Sequence, residues 1–400
     1  MNNMIDSKFI GGVLLIVGTS IGGGMLALPL ATAAAGILNS SVLLIFFWLV
    51  MTSGALLMLE VCSRLPRGSN MISMAQSTLG YSGKVITFVL YLFLLYSLIS
   101  GYISGGSDVF RGLLSRFDVS ISHATAAISF TVVFGLVIDA GIQAVDWVNR
   151  GLMFGKLGIY LLLLVLISPH LTDVNWSSGV FGEAASGVMV LVTSFGFASI
   201  VPSLRDYFEN DLPKLRLVIL CGSLIPLVCY LAWDAVIMGV LQIHGQNSQL
   251  MLLAKQPYAI TGLNALLRQV TASAWIDGFF GIFTSICMLT AFLGVSIGLF
   301  DFLADGFQLK KQGLQRHLIL FLTLVPPLVI VLFQPGIYLK ALGYAGICCI
   351  MLLLFLPVLM AWRSREMYGS TEVLFLPGGK ITLTFVLFTA MMLLRFATSI

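Results

Sequence analysis

A run of small and polar residues, Gly18-Thr19-Ser20-Ile21-Gly22-Gly23-Gly24-Met25, interrupts the first long apolar stretch of the chain near its middle. A second run, Thr193-Ser194-Phe195-Gly196-Phe197-Ala198-Ser199, lies at a corresponding depth in the sixth. Glycine costs a helix about 1 kcal/mol per residue, so three in succession favour an unwound segment. Backbone donors and acceptors freed at membrane depth are tolerated only where they line a cavity or meet a ligand. An unwound helix presents amide N–H groups where one half begins and carbonyls where the other ends, with opposite partial charges. A zwitterion fits that pair. Its carboxylate would lie against the N–H groups of Ile21 to Gly24, and its ammonium against carbonyls near Gly18 and from Ser194 to Gly196. The hydroxyls of Thr19, Ser20 and Ser194 could supplement either contact. A lone glycine pair would more readily be read as a close-packing surface, but two mid-span breaks in matching positions favour a site.

Other residues could complete such a site. The third apolar stretch carries Tyr96, Ser97, Ser100 and Tyr102, which could line a side-chain subsite or serve equally as anchors and core fillers. Phe195 and Phe197 could stack on an aromatic solute or close over it. Charges within apolar spans are costly and therefore informative. Lys156 reads as about one and a half turns inside the fifth helix, where it either snorkels to the interface or points inward and exchanges a proton. Glu60, near the inner end of the second helix, and Asp277, at the outer start of the eighth, read as caps or interfacial pairs. Asp234, within the seventh, is open between roles. His244 reads as an outer-loop residue.

The elements that must position these groups are membrane helices. The 400 residues are 58% hydrophobic and 10% charged, whereas soluble domains are roughly a quarter charged. Apolar runs long enough to cross a hydrocarbon core of about 30 Å recur along the chain, and the short alternating segments of a barrel are absent. Hydropathy divides the chain into about eleven helices, approximately 8–35, 38–62, 84–107, 121–138, 151–167, 181–208, 215–241, 274–303, 317–333, 338–362 and 381–397. The fold class is therefore all-α integral membrane protein, with residues 1–400 forming one domain. Five spans separate the starts of the two broken helices, an odd number, so the second set enters the membrane from the opposite side. That is the expectation for an inverted repeat of five helices plus five, 8–167 and 181–362, with 381–397 as an addition. With the N-terminus in the cytoplasm and the C-terminus outside, fifteen of the 21 Lys and Arg residues face the cytoplasm, as the positive-inside rule prefers.

Several classes are excluded or disfavoured. The chain has no nucleotide-binding loop, no His-Glu-x-x-His, no Cys-x-x-Cys and no Gly-x-Ser-x-Gly, so it reads as no conventional enzyme. The six cysteines lack ligand spacing and read as packing residues; no metal and no cofactor is expected. Basic residues lie in short loops rather than in a patch, which argues against nucleic acid. No obligate protein partner is implied. Any energy for solute movement would come from a solute or ion gradient.

The segment Gly18 to Leu30, GTSIGGGMLALPL, resembles the opening of the hydroxy and aromatic amino acid permeases. Leu59-Glu60-Val61, Tyr102 to Gly106, Ser194 to Phe197 with Val201-Pro202-Ser203, and Phe292 to Gly306 extend the resemblance over most of the chain. It implies the amino acid/polyamine/organocation superfamily, a leucine-transporter-like (LeuT-like) fold of eleven helices, and a bacterial cytoplasmic (inner) membrane location. It also implies import of tyrosine or, next, tryptophan, coupled to protons, with membrane lipid as the surrounding partner. A basic residue in the fifth helix is part of the pattern and is matched by Lys156, at the region where sodium-coupled relatives hold an ion. One position departs: Ala198 stands where the family commonly has His, which removes a titratable group beside the break and leaves substrate choice open. A facilitated carrier or exchanger, a sodium-coupled carrier of another neutral amino acid, a channel and a non-transporting solute receptor stand as alternatives.

Overall fold

A computed structural model describes residues 6–115, 117–171, 179, 187–241, 249–256, 258–368 and 379–397. These residues are almost wholly helical, as a chain in lipid must be when each backbone polar group has to be satisfied within its own segment. Among them, eight helical stretches are long and apolar enough to cross a membrane, and three shorter ones are also apolar.

The first stretch is broken as its glycines dictate. Helix α1 (Ser7–Ser20) stops at Ile21, which turns extended, and α2 (Gly23–Thr32) restarts the helix two residues later. A single tight turn, Ala33–Ala35, then leads to Gly36, whose φ of 76° reverses the chain into α3 (Gly36–Ser63). Only glycine takes that left-handed angle without strain. Helix α4 (Met71–Ser115) bends at Gly80 and is followed by α5 (His123–Asp139) and α6 (Ile142–Ile167). The second broken stretch comprises α7 (Val188–Ser194), a tight turn Gly196–Ile200, and α8 (Val201–Tyr207). After α9 (Leu212–Val240), two short helices, α10 (Gln249–Ala254) and α11 (Ala259–Thr271), precede α12 (Ala274–Gly306). The described chain ends with α13 (Gly313–Phe333), α14 (Tyr338–Ile350) continued through a widened turn into α15 (Leu356–Tyr368), and α16 (Gly379–Ala397).

Two boundaries differ from those read in the sequence, with consequences for function. Helix α6 begins at Ile142 rather than Gly151, because Asp146, Asn149 and Arg150 sit in its opening turns instead of ending it. Lys156 therefore lies about 21 Å along the helix at 1.5 Å per residue, not one and a half turns from its end. Helices α10 and α11 fall in a stretch read as loop; α11 buries Ile260, Leu263 and Leu267 at helical spacing but is too short and polar to span. His244 lies outside the described residues.

Burial sorts centre from rim. Within Val188–Tyr207, 72% of an 18-residue window is buried, against 22% within Gln143–His170, so the second broken helix runs through the middle while α6 turns most of its surface outward. Close backbone approaches hold the centre together. A Cβ on Gly346 of α14 would come within 2.2 Å of the Met189 carbonyl oxygen of α7, and one on Gly54 of α3 within 2.1 Å of that of Leu353. At one membrane face, buried Glu60 receives two hydrogen bonds of 2.7 Å from Arg365 and one of 3.2 Å from Arg64. This is the paired role expected of Glu60. On the same face Arg205 of α8 donates to the carbonyls of Cys62, Leu65 and Pro66, tying the second broken helix to the end of α3.

Candidate functional site at the two helix breaks

The breaks meet. A Cβ on Gly24, in the first turn of α2, would stand 2.9 Å from Ser194 Oγ at the end of α7, so only glycine lets the two halves approach this closely. One on Gly23 would stand 2.6 Å from the Tyr102 ring of α4. The Gly23 and Gly24 amides, at the head of α2 with no preceding turn to accept from them, are available donors. The Gly22 carbonyl accepts from the Met25 amide at 3.2 Å.

Three long side chains converge on backbone carbonyls at the breaks: those of Ser20 and Ile21 where α1 ends, that of Ser194 where α7 ends, and that of Gly23 in the first turn of α2. Lys156 Nζ donates to the Ile21 carbonyl at 2.5 Å and is 1% exposed, so it points into the bundle rather than to an interface. Tyr230 of α9 places its hydroxyl 2.6 Å from the Ser20 carbonyl oxygen and 3.0 Å from that of Ser194, in reach of both breaks with its one proton. Tyr338 at the start of α14 donates to the carbonyl of Gly23. Buried carbonyls left without donors are costly, and these contacts remove that cost at the point where the helix opens.

The other residues expected at the site divide. Phe195 and Phe197 are fully buried, and Phe195 meets the Tyr230 ring edge-on with centroids 5.2 Å apart. Ala198 is buried in the tight turn after Gly196, and a Cβ on Gly196 would sit 3.5 Å from Cys349 Sγ. Ser20 is buried and its hydroxyl lacks a hydrogen-bond partner, whereas Ser194 Oγ donates back to the Val190 carbonyl at 2.9 Å. Gly18 faces Met153 of α6, and Thr19 is exposed, bonding the Leu15 carbonyl one turn back. Tyr96 points elsewhere, to the Leu322 carbonyl of α13 at 2.7 Å. Ser100, one turn on, is buried and its hydroxyl lacks a hydrogen-bond partner, while Tyr102 packs on Gly23 at the break.

Sequence reasoning passed over Tyr230 and Tyr338. A tyrosine in mid-span, as at 230, was a usable signal, because a buried hydroxyl requires a partner; one at the start of a span, as at 338, reads like an interfacial anchor. Asp234, one turn beyond Tyr230, is 1% exposed and accepts from Ser40 Oγ at 2.7 Å and Thr32 Oγ1 at 3.2 Å, which links α9 to the far end of α2 and to the start of α3.

Comparison with known proteins bears on this arrangement. The tryptophan/tyrosine permease family model matches residues 5–397. The chain belongs to this permease family. Its relatives include tyrosine-specific transport system 2 of Haemophilus influenzae, 34% identical over 90% of this chain and 89% of that protein. Glutamine transporter 2 of Aliivibrio fischeri is 29% identical over 98% of this chain and 99% of that one. Among solved structures, Mhp1, a nucleobase-cation-symport-1 family transporter in a closed conformation with bromovinylhydantoin bound, superposes with a TM-score of 0.67 at 12% identity, covering 99% of this chain and 93% of that one. The fold is thus that of a LeuT-like transporter, and this permease is a multi-spanning membrane protein, not an enzyme.

Proposed function

We propose that this permease is a secondary transporter that imports an aromatic amino acid, tyrosine first and tryptophan next, by proton symport. The observation that carries the proposal is the Lys156 ammonium on the Ile21 carbonyl, a mobile proton carrier bonded to the backbone of the opening itself. With its proton, Lys156 holds the end of α1 in place; without it, the carbonyl loses a charge-assisted bond and the half-helix is released. The zwitterion would take the α2 amides for its carboxylate and the carbonyls around Ser20 and Ser194 for its ammonium, displacing the tyrosine hydroxyls that now occupy them. Alternating access then follows from movement about the two breaks, between inverted repeats spanning 8–167 and 181–362, with 381–397 added.

The bacterial inner membrane, with the N-terminus cytoplasmic and the C-terminus outside, agrees with the distribution of Lys and Arg. A second reading, carriage of another neutral amino acid, is favoured by the relative named a glutamine transporter and by Ala198, which leaves a small apolar surface at the turn of the second break. Uptake of labelled tyrosine, tryptophan and glutamine into proteoliposomes under an imposed pH gradient tests both. Saturable accumulation of an aromatic amino acid that collapses with a protonophore and persists without sodium is the expected result. Accumulation of glutamine alone would replace the substrate, and protonophore-insensitive uptake would leave a facilitated carrier.

A further inference from the structure

On the face opposite Asp6 and Lys8, the end of α4, the start of α14 and the α10–α11 segment enclose a cavity of about 370 Å³. That volume is within the roughly 300–1,000 Å³ of small-molecule sites. Its wall carries Asp108, which is 3% exposed. Asp108 Oδ2 accepts the Thr261 amide at 3.2 Å, but Oδ1 has no hydrogen-bond partner. Arg111 Nη2 stands 3.9 Å from Oδ1, outside hydrogen-bond range, and its guanidinium is stacked on the Tyr258 ring with 3.9 Å to the centroid. A buried carboxylate oxygen without a donor is an uncommon and costly feature.

Two further observations give the cavity a direction and a second pole. Lys255 and Lys340 also line it, both exposed, and among the described residues neither has an acidic partner. Tyr338 lines it too, and the hydroxyl of that same side chain reaches the Gly23 carbonyl at the first break. Tyr338 thus links the cavity to the broken helix, and the wall holds a carboxylate with one oxygen lacking a hydrogen-bond donor beside two lysines with no acidic partner among the described residues.

We propose that this cavity is an outer recognition site for the charged head of an amino acid on its way to the helix break. The α-ammonium donates to Asp108 Oδ1, the α-carboxylate meets Lys340 and Lys255, and Tyr338 is the partition between this site and the central one. The inference rests on the reading of the chain as an amino acid importer. Capping of α11 alone does not account for Asp108, since that contact occupies one oxygen and leaves the other empty.

The test is uptake of labelled tyrosine by the full chain in proteoliposomes, competed by tyramine, which lacks the carboxylate, and by 3-(4-hydroxyphenyl)propionate, which lacks the ammonium. Asp108→Asn keeps an acceptor for the Thr261 amide and removes the charge. It is expected to weaken competition by tyramine about tenfold, the scale of one charge-assisted hydrogen bond, and to spare the propionate; Asp108→Glu restores the tyramine response. Lys340→Gln, at an exposed position that keeps the test open if Asp108→Asn fails to fold, is expected to do the reverse. If the variants shift both competitors together, or neither, Asp108 is a structural cap and the outer site is refuted. If the wild type moves no amino acid, the transport reading falls, and equilibrium binding of the two analogues to purified wild type and the same variants decides the cavity separately.

Discussion

Lys156 Nζ lies 2.5 Å from the carbonyl oxygen of Ile21, the residue at which the first helix stops. The ammonium is on α6 and the carbonyl on the opening between α1 and α2, so one proton sits at the junction of a rim helix with the centre. Lys156→Met keeps the stem and removes the charge. It is expected to lower gradient-driven uptake tenfold or more, about the value of a charged hydrogen bond, while counterflow exchange of substrate persists. Undiminished accumulation in Lys156→Met under the same pH gradient would remove the lysine from the coupling mechanism.

Tyr230 reaches the carbonyls of Ser20 and Ser194, whereas Tyr338 reaches Gly23 alone. Deleting the Tyr230 hydroxyl leaves buried helix-end carbonyls without a donor, at about 1–3 kcal/mol each, whereas the Gly23 carbonyl, in the first turn of α2, keeps its place in the helix when Tyr338 loses its hydroxyl. Tyr230→Phe should therefore lower the thermal unfolding temperature of the purified protein more than Tyr338→Phe, because it strips a donor from both breaks at once. Equal shifts would mean that only one of the two Tyr230 contacts is used.

Much of this arrangement was legible in the sequence. Gly22-Gly23-Gly24 marked the first break because glycine's conformational freedom is local and needs no knowledge of neighbours. Gly196 marked the second break, after Ser194 and Phe195, for the same reason. What was not legible is which way a side chain points across a span. Tyr96 and Tyr102 are both tyrosines on one helix, yet the first bonds α13 and the second packs on Gly23, a difference set by helix rotation against neighbours far away in sequence. Lys156 was found, but its depth was misjudged, since polar residues in the first turns of α6 look the same as a loop. Asp108 drew no attention because its burial depends on α11, an element hidden in a stretch without the hydropathy of a span.

Glycines of unlike surroundings give a graded prediction. Gly346→Ala drives a Cβ to 2.2 Å from a backbone carbonyl oxygen, and Gly24→Ala drives one to 2.9 Å from a side-chain hydroxyl, while Gly294 has nothing within 4 Å. A backbone contact cannot rotate aside, so Gly346→Ala should lose about 1–3 kcal/mol or fail to fold, as overpacked cores do. Gly24→Ala should fold with Ser194 displaced and lose uptake, and Gly294→Ala should gain up to about 1 kcal/mol of helix stability. Detergent-solubilised thermal unfolding with parallel uptake assays orders the three. A neutral Gly346→Ala would contradict the packing of α14 on α7.

The two broken helices are also joined outside the membrane. Lys214 Nζ bonds Asp6 at 2.7 Å, and Lys8 Nζ bonds Glu209 at 2.8 Å, so the start of α1 is fastened to the chain that follows α8. Hydrogen bonding to Lys214 holds the Asp6 carboxyl below its ordinary value of 3.8, and hydrogen bonding to Lys8 holds Glu209 below 4.5. Depressed acid pKa values mean that this contribution is fully present above the ordinary values and is lost as pH falls through the lower, folded-state ones. From pH 8 to pH 5, then, the latch should be constant, and it should weaken with added salt because Asp6, Lys8 and Glu209 are open to solvent, Lys214 being largely covered. Hydrogen-exchange protection of residues 6–20 and 201–211, corrected for intrinsic rate, is expected to stay level over that range and to drop in Lys8→Gln with Lys214→Gln at every pH. A decline between pH 7 and pH 5 in the wild type would show that some other titrating group, not these carboxylates, closes this face.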